Sequence, residues 1–235
     1  MSLGWSCYII QSIHMVDAMN KPKPLLQIAL DNLSIEDALR VLGGGLDESV
    51  DIIEVGTLLL LGEGLRAVDI LRTIYPQKLL VADFKCIAPH FGTEILKHDP
   101  DFVTVLSGAE AQVPKLISEE ALNRGKGQQV QIELYNQFPS PQDVHAWQQM
   151  GISHIIYSRP RSRKGNWNTE DTKEIHELCE LGVSVTVTGG VTFEDLDILK
   201  GLPVFAIICG RSVRNAPDPA AEARRVKAKI DSLWN

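Results

Sequence analysis

The stretch VDIIEVGTLLLLGEGLRAVDILRTIYPQKLLVADFK spans residues 50–85 and contains one complete strand–helix–strand unit. It begins and ends with short apolar runs rich in β-branched residues, a pattern typical of strands that are buried on both faces. Between these runs, Leu65, Val68, Leu71 and Ile74 recur at helical spacing and so share one face of an amphipathic helix. The unit predicts two neighbouring parallel strands covered by a helix.

The same alternation continues along the whole chain, and about eight apolar runs are separated by segments with helical spacing. Eight such units in 235 residues favour a single-domain α/β fold, the (β/α)₈ TIM barrel, which typically takes about 250 residues. An open, doubly wound sheet is the alternative. The predicted strands are Leu26–Leu30, Asp51–Val55, Leu79–Ala82, Phe102–Leu106, Val130–Leu134, Ile152–Tyr157, Val183–Val187 and Val204–Cys209.

The composition is that of an ordinary globular protein, with 44% hydrophobic and 23% charged residues. A net charge of −7 argues against a nucleic-acid-binding surface, which normally carries an excess of basic residues. The four cysteines form no CxxC pair and no zinc-like spacing, so we expect reduced, mostly buried thiols and a cytoplasmic location.

Residues 1–22 are predicted to be an N-terminal extension, and residues 23–235 the barrel domain. The extension lacks the basic start and the long apolar core of a signal peptide. No run in the sequence approaches the roughly 20 apolar residues of a membrane span.

Charged residues follow or end several predicted strands: Asp31, Glu54, Asp83, Lys85 and Glu133. Barrel enzymes place their chemistry at the carboxyl ends of the strands, so these side chains are predicted to meet at one rim. Any one carboxylate could be a helix cap or an ion-pair partner, but four acids together indicate that a cation or a substrate offsets their charge. Glu54 and Asp83 on adjacent strands are predicted to hold Mg²⁺ with substrate oxygens. Lys85 is predicted to stabilise a developing oxyanion.

Glycines follow the last two predicted strands, in Thr188-Gly189-Gly190 and Gly210-Arg211. Glycines allow backbone N–H groups to approach a ligand, and an arginine adds a fork of donors. Each loop alone could be a plain turn. Because barrels frequently bind phosphate after strands seven and eight, the two loops together predict a phosphate site.

The remaining basic candidates carry less information. The loop Arg159–Lys164 either closes over an anionic substrate or is a solvated turn. His90, in the predicted loop after strand three, is the histidine placed nearest the site, and His154 is predicted to be structural because it begins a strand. Three histidines on predicted helices are expected to be solvated: His98, His145 and His176.

Seven segments extend a family likeness over nearly the whole chain, from Leu25 to Trp234. In combination they resemble the 3-keto-L-gulonate 6-phosphate decarboxylases of the orotidine 5′-monophosphate decarboxylase superfamily. Hexulose-6-phosphate synthases share the early motifs, whereas the QIEL and TVTGG strands are more similar to the decarboxylases. The segments are LLQIALDN (25–32), VDIIEVGT (50–57), GEGLRAV (62–68), LLVADFK (79–85), VQIEL (130–134), VTVTGG (185–190) and GRSVRNAPDP (210–219).

The resemblance implies a Mg²⁺-dependent carboxy-lyase of L-ascorbate catabolism, acting as a homodimer with active sites near the interface. The implied reaction converts 3-keto-L-gulonate 6-phosphate into L-xylulose 5-phosphate and CO₂ through an enediolate. The implied roles are metal binding by Glu54 and Asp83, enediolate stabilisation by Lys85, contacts to substrate and water by Asp31 and Glu133, reprotonation by Arg161, and phosphate binding by Gly190, Gly210 and Arg211.

Two positions depart from the family pattern. Ala88 replaces an acid that reaches the partner's site, and Ser158 replaces a histidine that helps to deliver a proton. A serine hydroxyl cannot act as an acid near neutral pH, and loss of such a group typically costs about 10²- to 10⁴-fold in rate. Three hypotheses therefore stay open: an active decarboxylase, a hexulose-6-phosphate-synthase-type aldolase, and a catalytically impaired sugar-phosphate-binding paralogue.

Overall fold

The computed structural model describes residues 23–135 and 137–235, so the predicted extension 1–22 lies outside the described residues. Eight strands, each parallel to its neighbours, close into a barrel in sequence order, which confirms the (β/α)₈ fold and rules out the open sheet. The strands are β1 Leu25–Leu30, β2 Ile52–Val55, β3 Leu79–Cys86, β4 Phe102–Leu106, β5 Gln129–Glu133, β6 His154–Ser158, β7 Ser184–Thr188 and β8 Ala206–Cys209.

Helices alternate with the strands and cover the outside of the barrel. Their starts are well capped: Ser34 Oγ accepts from the Asp37 N–H at 3.2 Å, and Asp218 Oδ1 accepts from the Ala221 N–H at 2.9 Å. The helices are α1 Ile35–Leu42, α2 Leu46–Ser49, α3 Thr57–Glu63, α4 Arg66–Ile74, α5 Pro89–Leu96, α6 Gln112–Arg124, α7 Pro141–Gln149, α8 Thr169–Glu180, α9 Leu196–Leu199, α10 Arg211–Arg214 and α11 Pro219–Leu233. No helix in the described part of the chain is long and apolar enough to cross a bilayer.

The predicted strand bounds agree with the structure to within about two residues except at β3. The sequence predicts that this strand ends at Ala82, but it continues to Cys86. Its pairing with β4 is irregular between Ala82 and Cys86, so the sequence there does not read as a regular strand.

Inward-facing side chains stack in layers whose members follow from the strand register. Gln27 pairs with Ile52, and Ile52 pairs with Leu79. In a barrel with a shear of about eight, two strand steps at constant height advance the register by about two residues, so Val81 shares a layer with Gln27. Applied around the barrel, the rule gives, from the amino end upward, Ile52/Phe102/His154/Ala206, then Gln27/Val81/Gln131/Thr186, then Glu54/Thr104/Ile156/Ile208, then Ala29/Asp83/Glu133/Thr188.

His154 belongs to the lowest of these layers, away from the carboxyl ends of the strands. Its buried ring lies 5.0 Å from the Phe102 ring and 4.9 Å from the Phe205 ring, centroid to centroid. This aromatic packing agrees with the structural role predicted for it.

Candidate active site

The irregular end of β3 places Lys85 in the mouth of the barrel. Its φ is +57°, in the left-handed region that non-glycine residues rarely occupy, and its backbone N–H is held by Thr104 Oγ1 at 2.9 Å. The ammonium group contacts Asp83 Oδ2 and lies 3.0 Å from Glu133 Oε2. Strands β3 and β5 therefore converge on one cation, as the sequence predicted.

Two threonines that the sequence analysis missed hold Asp83 in place. Thr57 Oγ1, at the start of α3, lies 2.8 Å from the Asp83 backbone oxygen and 3.1 Å from Oδ2. Thr104 Oγ1 donates to Asp83 Oδ1 at 2.9 Å. A signal for Thr104 existed, because it occupies an inward position on the strand next to Asp83, but a buried threonine is usual in a strand.

Glu54 lies one layer below Asp83 and is only 7% exposed. Gln27, also missed from the sequence, donates from Nε2 to Glu54 Oε2 at 2.7 Å. Burial first, and then the negative charge of Asp83, raise the pKa of Glu54 well above its ordinary value, although Lys85 opposes them. Burial and Asp83 likewise raise the pKa of Glu133.

Lys85 responds in the opposite way to this crowding of acids. Its burial disfavours the ammonium form, but the attraction of Asp83, Glu133 and Glu54 outweighs burial and raises its pKa. The side chain is therefore a positive charge at neutral pH, as an oxyanion-stabilising group must be.

Asp31 is at the same rim but has a different partner from the one expected. The sequence predicts it close to Lys85, whereas in the structure Arg214 Nη1 lies 3.7 Å from Asp31 Oδ2. Arg214 Nη1 also donates to the Ala29 carbonyl at 3.4 Å. Gly56 makes room for Asp31, because a Cβ there would lie 2.5 Å from Oδ1. Asp31 thus connects the acid cluster to the last βα loop through Arg214, which the sequence analysis did not single out.

The two glycine loops lie side by side after β7 and β8. Gly189 and Gly190 have φ of +110° and +85°, and a Cβ on Gly190 would meet nothing within 4 Å. Ser212 Oγ donates to the Val191 carbonyl at 2.7 Å and ties the two loops together. The predicted phosphate-site residues are brought together at the carboxyl end of the barrel: Thr188, Gly189, Gly190, Gly210 and Arg211.

The basic loop after β6 is neither a simple lid nor a solvated turn. Arg159 is buried, and its guanidinium donates to Asp171 Oδ2 at 2.9 Å, the Gly165 carbonyl at 2.9 Å and the Asn166 carbonyl at 2.8 Å. Arg163 binds Asp171 Oδ1 at 2.5 Å. Two arginines therefore anchor the loop internally.

The anchored loop carries Arg161 on its exposed side. The positive charge of Arg161 acts on Glu133 and is among the influences that lower the pKa of that acid. The structure therefore places Arg161 near the mouth, where the family resemblance requires it.

The remaining candidates are placed as follows. Ser158 pairs with Thr188 at the upper end of β6, and strand alternation directs it inward with Ile156. His90 is predicted in a loop, but α5 already begins at Pro89, and its exposed ring packs against Phe91 at a centroid distance of 4.3 Å. Ala88 is the residue before α5.

The other histidines and the cysteines are remote from the mouth. His98 follows α5 and its Nδ1 lies 2.8 Å from Asp69 Oδ1, so it is paired rather than simply solvated. His145 and His176 are exposed on α7 and α8, as predicted. Of the cysteines described, Cys86 and Cys209 are buried free thiols and Cys179 is half-buried and free, while Cys7 lies outside the described residues.

The donor set at the mouth suits a hard divalent cation. Within residues 23–135 and 137–235, no group of three or more His, Cys, Asp or Glu side chains could hold a metal. Mg²⁺, however, commonly binds through one or two carboxylates and completes its shell with water and substrate oxygens. The raised pKa of Glu54 beside Asp83 marks negative charge that Lys85 does not fully offset, so the two acids fit such an ion.

The comparisons with known proteins agree with this geometry. The orotidine 5′-phosphate decarboxylase / HUMPS family model matches residues 24–226. The chain belongs to this family. A 3-keto-L-gulonate-6-phosphate decarboxylase of Escherichia coli is 38% identical over 218 residues, covering 90% of this chain and 98% of the relative.

Solved structures extend the comparison. KGPDC from Streptococcus mutans, in complex with a D-sugar phosphate, aligns with a TM-score of 0.84 and 31% identity, over 91% of this chain and all of that one. A 3-hexulose-6-phosphate synthase aligns with a TM-score of 0.77 and 25% identity, over 87% of this chain and 99% of that one. The predicted resemblance is confirmed, and the named decarboxylases place the chain among carboxy-lyases.

Proposed function

We propose that this protein is a Mg²⁺-dependent decarboxylase that converts 3-keto-L-gulonate 6-phosphate into L-xylulose 5-phosphate and CO₂. The observation that carries the proposal is the position of Lys85, whose ammonium lies between Asp83 and Glu133 above the buried Glu54. A β-keto acid loses CO₂ when the electron pair of the broken C–C bond can move onto oxygen. A fixed positive charge at that oxygen lowers the barrier.

In this mechanism Glu54 and Asp83 would hold Mg²⁺, which supplies positive charge next to the substrate oxygens that become negative. Lys85 donates a hydrogen bond to the enediolate that remains after CO₂ departs. Thr57 and Thr104 keep Asp83 directed toward this point. The threonines position the acid and do not touch the substrate in the proposed arrangement.

Product formation then needs one proton on carbon. Glu133 is proposed to orient the water that supplies it, and Arg161 to stabilise the negative charge beside that water. The charge of Arg161 already acts on Glu133, which supports a shared task. Ser158 faces the same space but cannot replace a histidine as an acid.

The other end of the substrate would be bound by the glycine loops. Backbone N–H groups at Gly189, Gly190 and Gly210 and the guanidinium of Arg211 are proposed to bind the phosphate, and Asp31 the sugar hydroxyls. The sugar-phosphate complex of the related KGPDC is consistent with a phosphorylated sugar as ligand.

We further propose a cytoplasmic homodimer with the active sites near the interface. Three large apolar side chains near the carboxyl end of the barrel support an interface there, because they are exposed by 70%, 69% and 62%: Leu33, Leu61 and Ile87. A role in L-ascorbate catabolism belongs to the same proposal.

A hexulose-6-phosphate-synthase-type aldolase is the second candidate. The likeness to the synthase structure favours it, and the same Lys85 would stabilise the same kind of enediolate. Ala88 and Ser158 favour the third possibility, a paralogue that binds a sugar phosphate without turning it over.

A CO₂-release assay on 3-keto-L-gulonate 6-phosphate, with Mg²⁺ and with EDTA, tests the proposal. We expect release with Mg²⁺ and its loss with EDTA. Release that is unaffected by EDTA contradicts the metal, and no release contradicts the decarboxylase. A parallel assay for hexulose 6-phosphate formation identifies the second candidate, and phosphate-ligand binding without either reaction identifies the third.

A further inference from the structure

The central layer of the barrel is polar although it is sealed from solvent. Gln27, Gln131 and Thr186 are each 0% exposed, and Val81 is the one apolar member. The layer lies directly beneath Glu54 and Thr104. A barrel interior is normally filled by branched apolar side chains, so three polar residues in one layer need a physical reason.

These side chains have polar atoms that the described part of the protein does not satisfy. Within residues 23–135 and 137–235, no group hydrogen-bonds to Gln27 Oε1, to either amide atom of Gln131, or to Thr186 Oγ1. Buried polar atoms without partners are costly and rare, and they normally mark ordered water. The strand register directs all three side chains into the same layer.

The orientation of Gln27 is fixed from above. An ionised carboxylate only accepts hydrogen bonds, so the amide nitrogen of Gln27 must face Glu54, at 2.7 Å from Oε2. Oε1 then faces the central layer and requires a donor. Water can donate to Oε1 and, at the same time, accept from the Gln131 amide or the Thr186 hydroxyl.

We propose that the central layer binds ordered water, and that this water locks the Gln27 amide so that Gln27 acts as a positioning residue for Glu54. The water site stands on the buried polar atoms alone. The positioning role rests on the proposed function of Glu54 as a metal ligand, and it predicts that metal affinity depends on a glutamine that does not touch the metal.

A crystal structure of the full chain at about 1.5 Å or better tests the water site. We expect density within hydrogen-bond distance of Gln27 Oε1 and of Gln131 or Thr186. An interior without such density, or amides bonded directly to one another, would overturn the water site.

Mn²⁺ binding to the metal-free protein, followed by electron paramagnetic resonance, tests the positioning role. We expect Gln27→Leu to raise the Kd for Mn²⁺ about tenfold, as loss of a hydrogen-bond partner of a metal ligand commonly does. Gln131→Leu should have a smaller effect, because the water keeps its other partners. Gln128→Leu is the matched control, since this buried glutamine bonds to the Leu96 and Pro100 carbonyls and not to Glu54.

An unchanged Kd in Gln27→Leu, or an equal loss in Gln128→Leu, overturns the positioning role. If the wild-type protein binds no Mn²⁺, the proposed metal site and the positioning role both fail, whereas the crystallographic result still decides the water site. Failure of the proposed function and failure of the water site are therefore distinguishable.

Discussion

Two clusters of charged side chains lie within a few residues of each other at the carboxyl end of the barrel, and they have opposite electrostatic character. The mouth cluster consists of Glu54, Asp83, Lys85 and Glu133, so three acids share one cation. The loop cluster consists of Arg159, Arg163, Asp171 and Glu174, so two acids meet two cations. In the mouth cluster the pKa of Glu54 and of Glu133 is raised. In the loop cluster the pKa of Asp171 and of Glu174 is lowered.

The difference separates a binding site from a structural support. In the loop cluster, burial opposes ionisation of Asp171, but hydrogen bonds from Arg163 and Arg159 outweigh it, so the protein itself supplies all the compensating charge. The mouth cluster leaves part of its negative charge uncompensated. Such a shortfall costs stability, and it indicates that compensation comes from a ligand.

The largest expected effect is that of Lys85→Ala on turnover. Removing the ammonium group should lower kcat by about 10³-fold or more, because no other cation in the mouth cluster faces the developing oxyanion. Circular dichroism should show an intact fold. Activity equal to that of the wild-type protein would refute the role of Lys85.

Asp171→Asn should have the next largest effect, on stability rather than on chemistry. The variant leaves Arg159 and Arg163 without their shared carboxylate, and breaking a buried pair in this way costs about 3 kcal/mol of unfolding free energy. Urea denaturation near pH 7 measures this loss.

The pH dependence of that loss follows from the lowered pKa of Asp171. The carboxylate contributes its stability above the unfolded-state pKa, about 3.9, and the contribution disappears as pH falls through the lower folded-state pKa. The wild-type protein and the Asp171→Asn variant should therefore converge in stability at strongly acidic pH. A difference that does not shrink on acidification would show that packing, and not charge, is responsible.

Glu54→Gln should have the opposite sign in the metal-free protein. Because the pKa of Glu54 is raised, its ionisation destabilises the fold as pH rises from the ordinary carboxyl pKa through the raised one. A neutral isostere should therefore stabilise the protein near pH 7 by about 1 kcal/mol. Thermal unfolding with EDTA measures the gain, and added Mg²⁺ should stabilise the wild-type protein but not the variant. Destabilisation by Glu54→Gln in EDTA would contradict an uncompensated charge.

Sequence patterns were sufficient for the fold and for most of the acids, because strand period and strand end are local properties. They did not identify Thr57, Thr104 or Arg214, whose importance depends on which side chain they meet across the barrel. The loop after β6 was ambiguous for the same reason. Whether Arg159 is free for a ligand depends on Asp171, twelve residues further along the chain and on another element.

The residue at the junction of the two clusters gives the smallest effect. Ser158 lies next to Arg159 in sequence, but strand alternation turns its side chain toward the mouth cluster. A histidine there would add a group whose pKa suits proton transfer near neutral pH, and an acid in place of Ala88 would restore the second departure from the family pattern.

We expect the double variant Ala88→Asp with Ser158→His to raise kcat on 3-keto-L-gulonate 6-phosphate about tenfold, below the roughly 10²- to 10⁴-fold of a fully positioned group. The gain should be smaller because Pro89 begins α5 immediately after Ala88 and constrains the new acid. The single variants measured beside it show which group matters. An unchanged kcat would mean that proton delivery does not limit turnover here, and that the altered segment after β3 or a different substrate sets the rate.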